Sequence, residues 1–303
     1  MAQKKFYIKA FMFVMINILM AWISIEIIHY FENRYHYHNW ETDSDLLIMP
    51  IHKSVDLLIM GSSHARIFTR DKNHLRVEKI LNKSMVDVGK GGGEGGIVTN
   101  LVMLNYFYDQ EDTAKQIVYF MDAWPFFTSK WNEKSYFLTN EPINEDLFRL
   151  CLKYHVDKDV MLNYFKSKYT IDWLERRPNT REINNDILQD VSQEAIQKRL
   201  ASLYIEPYDE QVFNHYAALL EEVVRLAQAH HAKLTFIFPA TLLDDNRGKD
   251  KVLKLLSTFK TKYGTDYYDY SDVIQDHTLF YDHDHLNTKG VVYFTEKYLK
   301  PLL

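Results

Sequence analysis

"DLLIMGSSHARIF", residues 56–68, begins as an unbroken apolar run and stops at Gly61, two serines and a histidine. With Val55 the run reads "VDLLIMG" (55–61): short, apolar on both faces and closed by glycine. That is the pattern of a parallel strand buried between two helical layers. "SMVDVG" (84–89), "QIVYFMD" (116–122) and "KLTFIFPA" (233–240) repeat it. "TDYYDYS" (265–271) fits a fifth strand, nearer an edge because of its polar content.

Helical patterns lie between these runs. "GIVTNLVMLNYFYD" (96–109) has apolar residues at helix spacing. "DEQVFNHYAALLEEVVRLAQAHHAK" (209–233) opens with acids, carries an apolar stripe and closes with His and Lys, as the helix dipole favours. "NTKGVVYFTEKYLKPLL" (287–303) reads as a last helix. Strands alternating with helices predict an α/β fold, a doubly wound, mainly parallel five-stranded sheet, over residues 55–303. The spacing is uneven. Between the third and fourth strands lies an aromatic-rich helical insert, at about 123–208, that suits a cap or a docking surface.

Bulk numbers narrow the classes. A chain of 303 residues that is 47% hydrophobic buries a sizeable core, which excludes wholesale disorder. A net charge of −5 gives no electrostatic footprint for nucleic acid. The single cysteine, Cys151, excludes an intramolecular disulfide and a cysteine-rich zinc module.

Residues 1–31 are expected to be a transmembrane anchor. From Ala10 to Ile28 the only formal charge is Glu26, and the stretch spans roughly 28 Å as a helix, about the thickness of a bilayer's hydrocarbon core. Lys4, Lys5 and Lys9 precede it while Glu26 and Glu32 lie at its far end, so the positive-inside rule puts the remainder outside the cytoplasm. Residues 32–54 then read as a linker, with Pro50 discouraging helix.

Three features converge at the carboxyl ends of the strands, where doubly wound sheets bind ligands. The first is Gly61-Ser62-Ser63-His64. The second is "GKGGGEGG" (89–96); seven of the ten glycines fall between 61 and 96. Such a cluster allows several N–H groups to point at one anion or oxyanion. It lacks the Gly-Lys-Ser/Thr of a phosphate loop, and its bare G-x-G-x-x-G match (Gly91, Gly93, Gly96) follows the second strand rather than the first. The third is "YDHDHLNTKG" (281–290). Asp282, three residues before His285, can curl back onto Nδ1 and leave Nε2 as a base. Two other readings stand beside it: a metal held by His283, Asp284 and His285, or a polar loop whose Asp caps the following helix.

Together the three features resemble the SGNH/GDSL-type esterases and acyltransferases. "GSS" ends at Ser63, "VGKGGG" offers Gly92, and "DHDH" offers Asp282 and His285; order and placement match over 55–303. The resemblance implies a flavodoxin-like sheet and a triad of Ser63, His285 and Asp282. It also implies an oxyanion hole from the N–H groups of Ser63 and Gly92, with no cofactor and no metal. The "GSSH" and "DHLN..G" forms look like membrane-anchored members acting on envelope polymers, which often work beside a membrane-bound O-acyltransferase. The expected function is O-acetylation of an envelope or secreted polysaccharide. A deacetylating esterase, or an accessory protein that has lost catalysis, is the alternative. The family's Gly-x-Asn block after the third strand is missing: "FMDAWPFF" puts Asp122 where the asparagine donor would stand. Asp122, Trp124 and His64 are candidates for contact with substrate, and Trp124, Phe126, Phe127, Trp131 and Tyr136 for stacking on sugar rings, with ordinary packing as the competing reading.

Overall fold

The computed structural model describes residues 2–36, 52–91, 93–139, 141, 144–167, 186–243 and 247–303. Its strands are β1 (Ser54–Gly61), β2 (Met85–Asp87), β3 (Thr113–Phe120), β4 (Lys233–Phe238) and β5 (Asp266–Asp269). Among the described residues the α-helices are α1 (Ala2–His36), α2 (Ser63–Arg66), α3 (Asn73–Leu81), α4 (Ile97–Asp109), α5 (Glu145–Lys153), α6 (Lys158–Lys166), α7 (Gln193–Leu203), α8 (Glu210–Ala229), α9 (Lys249–Tyr263) and α10 (Thr288–Phe294).

All strand pairs are parallel and the order is β2-β1-β3-β4-β5, the flavodoxin-like arrangement. The fifth strand is an edge, as its polar residues suggest, and β2 is the other edge. Side chains alternate between two cores, which is why β1 reads as continuously apolar. Leu58 and Met60 join one core; Leu57 and Ile59 join the other. β3 divides likewise, with Ile117 and Tyr119 on one side and Val118 and Phe120 on the other. Helices α4, α8 and α9 cover the first face, and α3 and α10 the second.

Helix α4 is buried all round from Ile97 to Tyr108, lying between the sheet and the outer helices α5 and α8. Three helices, α2, α3 and α9, lie outside the helical patterns of the sequence. The last helix is shorter than its pattern: after Phe294 the chain passes through a π turn (Thr295–Leu299) and a 3-10 turn (Lys300–Leu302). Pro301 supplies no N–H to an α-helical ladder and its ring clashes with the carbonyl four residues back.

Of the expected linker, residues 37–51 lie outside the described residues, while α1 runs on to His36. Within α1, Gln3–Ile27 is long and apolar enough to cross a membrane, with mean hydropathy 2.0 and none of its most apolar window buried. Two of its polar side chains bond back to the helix: Asn17 Nδ2 donates to Phe13 O and Ser24 Oγ to Met20 O.

The insert is tied to the sheet's glycine loop by a buried ion pair between Lys90 and Glu141, both almost fully inaccessible. A buried pair adds little net stability, but breaking it strands a charge. Lys90→Met is therefore expected to cost about 3–5 kcal/mol in urea unfolding, and Lys90→Met/Glu141→Leu to recover most of that loss.

Candidate active site

The site begins where β1 ends. Gly61 has φ +138°, and a Cβ there would lie 2.4 Å from the carbonyl oxygen of Phe120 on β3. Only glycine lets the chain leave the strand this close to its neighbour. Ser62 then serves as N-cap of α2, its Oγ accepting the His64 N–H at 3.4 Å, and Ser63 is the first helical residue. The turn is clamped from α4. Asn100 Oδ1 accepts the Gly61 N–H at 2.8 Å, while its Nδ2 donates to the carbonyls of Gly95 and Gly96. One buried side chain thus holds the end of β1 against the glycine loop.

The opposite wall is the loop before α10. Asp282 Oδ1 accepts the backbone N–H groups of Asp284 (3.0 Å) and His285 (2.8 Å), which fixes the carboxylate within its own turn. From there the two Asp282 oxygens lie 2.9 and 2.8 Å from His285 Nδ1. His285 Nε2 is 2.5 Å from Ser63 Oγ. The sequence-predicted Ser63, His285 and Asp282 therefore come together in one hydrogen-bonded chain. Ser63 is half-buried, and Tyr281 stacks on the imidazole at 5.4 Å between centroids.

Helix capping at this loop falls to Asn287, not to an aspartate. Its Oδ1 accepts the Gly290 N–H at 3.0 Å and its Nδ2 donates to Thr278 O at 2.8 Å. A Cβ at Gly290 would come within 2.1 Å of Leu279 O. The Asn and Gly of "DHLN..G" thus have structural roles.

Ser62, Asp122 and His64 form a second polar group beside the first. Ser62 Oγ donates to Asp122, so the residue adjacent to Ser63 is committed to the turn. His64 is 4% exposed; its Nδ1 lies 3.0 Å from Asp122 Oδ1 and its Nε2 2.5 Å from Asp284 O. Both ring nitrogens are engaged there, so His64 is not placed to take the Ser63 proton. It joins the β3 edge to the 282–285 loop, and Asp122 points at that join.

Asp284 is the third acid. Arg199, on α7, grips its carboxylate through Nε (3.1 Å to Oδ1) and Nη2 (2.9 Å to Oδ2), and Asp284 Oδ1 lies 3.2 Å from His285 Nδ1. Burial raises the cost of ionising Asp284, yet His285, Arg199 and His64 hold it well below the usual carboxylate range. Burial likewise works against the His285 imidazolium, but Asp284 and Asp282 outweigh it and push its pKa up to about 10. His64, Asp284 and His285 place one donor atom each within 4.8 Å, which raises the metal reading again. Hydrogen bonds already claim those atoms. Arg199 holds the Asp284 carboxylate, and the nitrogens of His64 and His285 face Asp122, the Asp284 carbonyl, Ser63 and Asp282.

Gly92 lies outside the described residues, so the second expected oxyanion donor has no described position. The start of α4 behind the loop is taken: Asn132 Oδ1 accepts the N–H groups of Ile97 and Val98. The aromatic residues of the insert divide by environment. Phe126 and Phe127 are core, Trp124 is buried edge-on to Trp131, and Tyr136 is exposed. Asp122, His64 and Trp124 line one side of a cavity of about 60 Å³, bounded also by Tyr204, Thr241 and Lys249. A few water molecules fit that volume; a sugar ring does not.

Asn100, Asn132 and Arg199 are residues that motif reading passes over. The asparagines carried a signal, since Asn100 interrupts an apolar helix and a buried amide needs partners. Arg199 carried none. No protein-family model matches the chain, and no curated protein matches it either.

A raised histidine pKa stabilises the fold while the ring is protonated in the native state. That contribution is complete below the ordinary value of 6.5 and is lost as pH rises through about 10. Thermal melts of wild type and His285→Gln across this range are expected to converge towards the alkaline end. A gap that stays constant with pH would show that the imidazolium contributes nothing.

Proposed function

We propose that this chain is a membrane-anchored serine O-acyltransferase of SGNH type, with Ser63, His285 and Asp282 as its catalytic triad. The observation that supports this reading is the continuous chain from Asp282 through His285 Nδ1 and Nε2 to Ser63 Oγ, at 2.8 and 2.5 Å. Three residues from two ends of the sequence have the mutual geometry of nucleophile, base and orienting acid.

In the first half-reaction His285 takes the hydroxyl proton as Ser63 Oγ attacks an acyl carbonyl. The oxyanion is received by the Ser63 N–H, with Gly92 as its expected partner. Collapse of the tetrahedral intermediate breaks the bond to the leaving group, which departs with the proton from His285 and leaves an ester on Ser63. In the second half an acceptor hydroxyl gives its proton to His285 and attacks that ester. The product is a new ester, and Ser63 regains its proton. Water as acceptor makes the same machinery an esterase. Asp122, engaged by Ser62 and His64, takes no part as an oxyanion donor.

The anchor supports the choice of acceptor class. A span at the N-terminus preceded by Lys4, Lys5 and Lys9 leaves the catalytic domain outside the cytoplasm, tethered at the membrane surface. A polymer hydroxyl on an envelope or secreted polysaccharide suits that position, as does a membrane-bound O-acyltransferase that supplies the acyl group.

Hydrolysis of 4-nitrophenyl acetate by the full chain in detergent is expected to fall to background in Ser63→Ala and His285→Ala, and on the order of 10⁴-fold in Asp282→Asn. Ser62→Ala is expected to keep measurable turnover. Equal rates for wild type, Ser63→Ala and His285→Ala would sink the proposal. Because the unprotonated His285 is the working form, kcat/KM is expected to climb from neutral towards alkaline pH, levelling above about 10.

A further inference from the structure

The insert reaches the reaction centre through Arg199. The residue sits on α7, 85 positions before Asp284, and its guanidinium is two-thirds buried against that carboxylate. Asp284 in turn touches four partners: Arg199 and His285 Nδ1 through its carboxylate, His64 Nε2 through its backbone oxygen, and Asp282 Oδ1 through its N–H. The carboxylate is 3% exposed.

A carboxylate buried this deeply needs a cation. Two cationic groups contact it directly, the permanent guanidinium of Arg199 and the imidazolium that His285 can become. The more Asp284 relies on His285, the more tightly the ring proton is held and the less able the ring is to accept the Ser63 proton. The other groups facing His285 do not relieve that pull: Asp282 and Ser63 contact its nitrogens, and the Tyr281 and His64 rings pack against it. Beyond His64 stands Asp122, a further acid. We infer that Arg199 is a positioning residue of the insert that, by pairing with Asp284, weakens that carboxylate's hold on the His285 proton and so favours His285 as the base. The inference rests on the Ser63–His285 reading above. It gives the insert a part in catalysis beyond covering the sheet.

The test is kcat/KM for 4-nitrophenyl acetate against pH, on the full chain in detergent. Arg199→Gln is expected to move the acidic limb up by about one pH unit, roughly a tenfold loss at neutral pH. Asp284→Asn is expected to move the limb down. Arg199→Gln/Asp284→Asn should follow Asp284→Asn, because the arginine acts through that carboxylate, and Arg199→Lys should restore part of the shift. An arginine that only supports folding would lower activity at every pH with the limb unmoved, and that outcome overturns the inference. If Arg199→Gln does not fold, Arg199→Lys and Asp284→Asn carry the same comparison. If wild type and Ser63→Ala hydrolyse equally, the catalytic reading fails, and the His285 ring titration by ¹H NMR, assigned with His285→Gln, decides the inference. A ring titration unchanged by Arg199→Gln overturns it; one displaced to higher pH supports it.

Discussion

The contact between Ser63 Oγ and His285 Nε2 joins residues 222 positions apart, and it constrains most of what surrounds it. The serine must leave β1 beside β3, so Gly61 has to be glycine. The histidine must arrive from the loop before the last helix, so that loop is bound at both ends, by Asp282 to its own amides and by Asn287 to the helix start. The sheet order β2-β1-β3-β4-β5 places the turn after β1 beside β3, at the reversal where doubly wound sheets bind ligands. No single element builds the site; the topology delivers it.

The second polar group explains the departure at Asp122. In place of an amide donor, the chain has an acid that receives Ser62 and His64, and His64 in turn bonds the Asp284 carbonyl. The two halves of the site are therefore joined behind the Ser63–His285–Asp282 chain by a buried hydrogen-bonded link. Hydrogen bonds to charged groups in such surroundings are worth about 1.5–3 kcal/mol each, enough to hold the loops in register. The adjacent serines are divided in role by geometry: Ser62 turns inward to Asp122, and Ser63 outward to His285.

Much of the fold was legible because burial on both faces writes itself as an uninterrupted apolar run, as in "LLIM" of β1. The short helix α3 and the charged helix α9 were harder, since their apolar stripes are narrow and their flanks highly polar. The end of α10 was overrun because its apolar spacing continues past Phe294 while Pro301 forbids a regular ladder. In the site, Asp282 and His285 stood three apart and Ser63 closed a glycine turn, so local spacing sufficed. Arg199 was invisible: its partner lies 85 residues on, and nothing local distinguishes it from any other arginine on an amphipathic helix. Asn100 lay between these cases, a buried amide whose need for partners could be read but whose partners could not.

Everything proposed for this site turns on Ser63 being a nucleophile activated by His285. A serine-reactive fluorophosphonate, followed by mass spectrometry of the labelled peptide, tests it without knowledge of the natural donor or acceptor. The expected result is one adduct, on Ser63, that disappears in His285→Ala. An adduct on Ser62, or no adduct on a folded chain, would contradict the account.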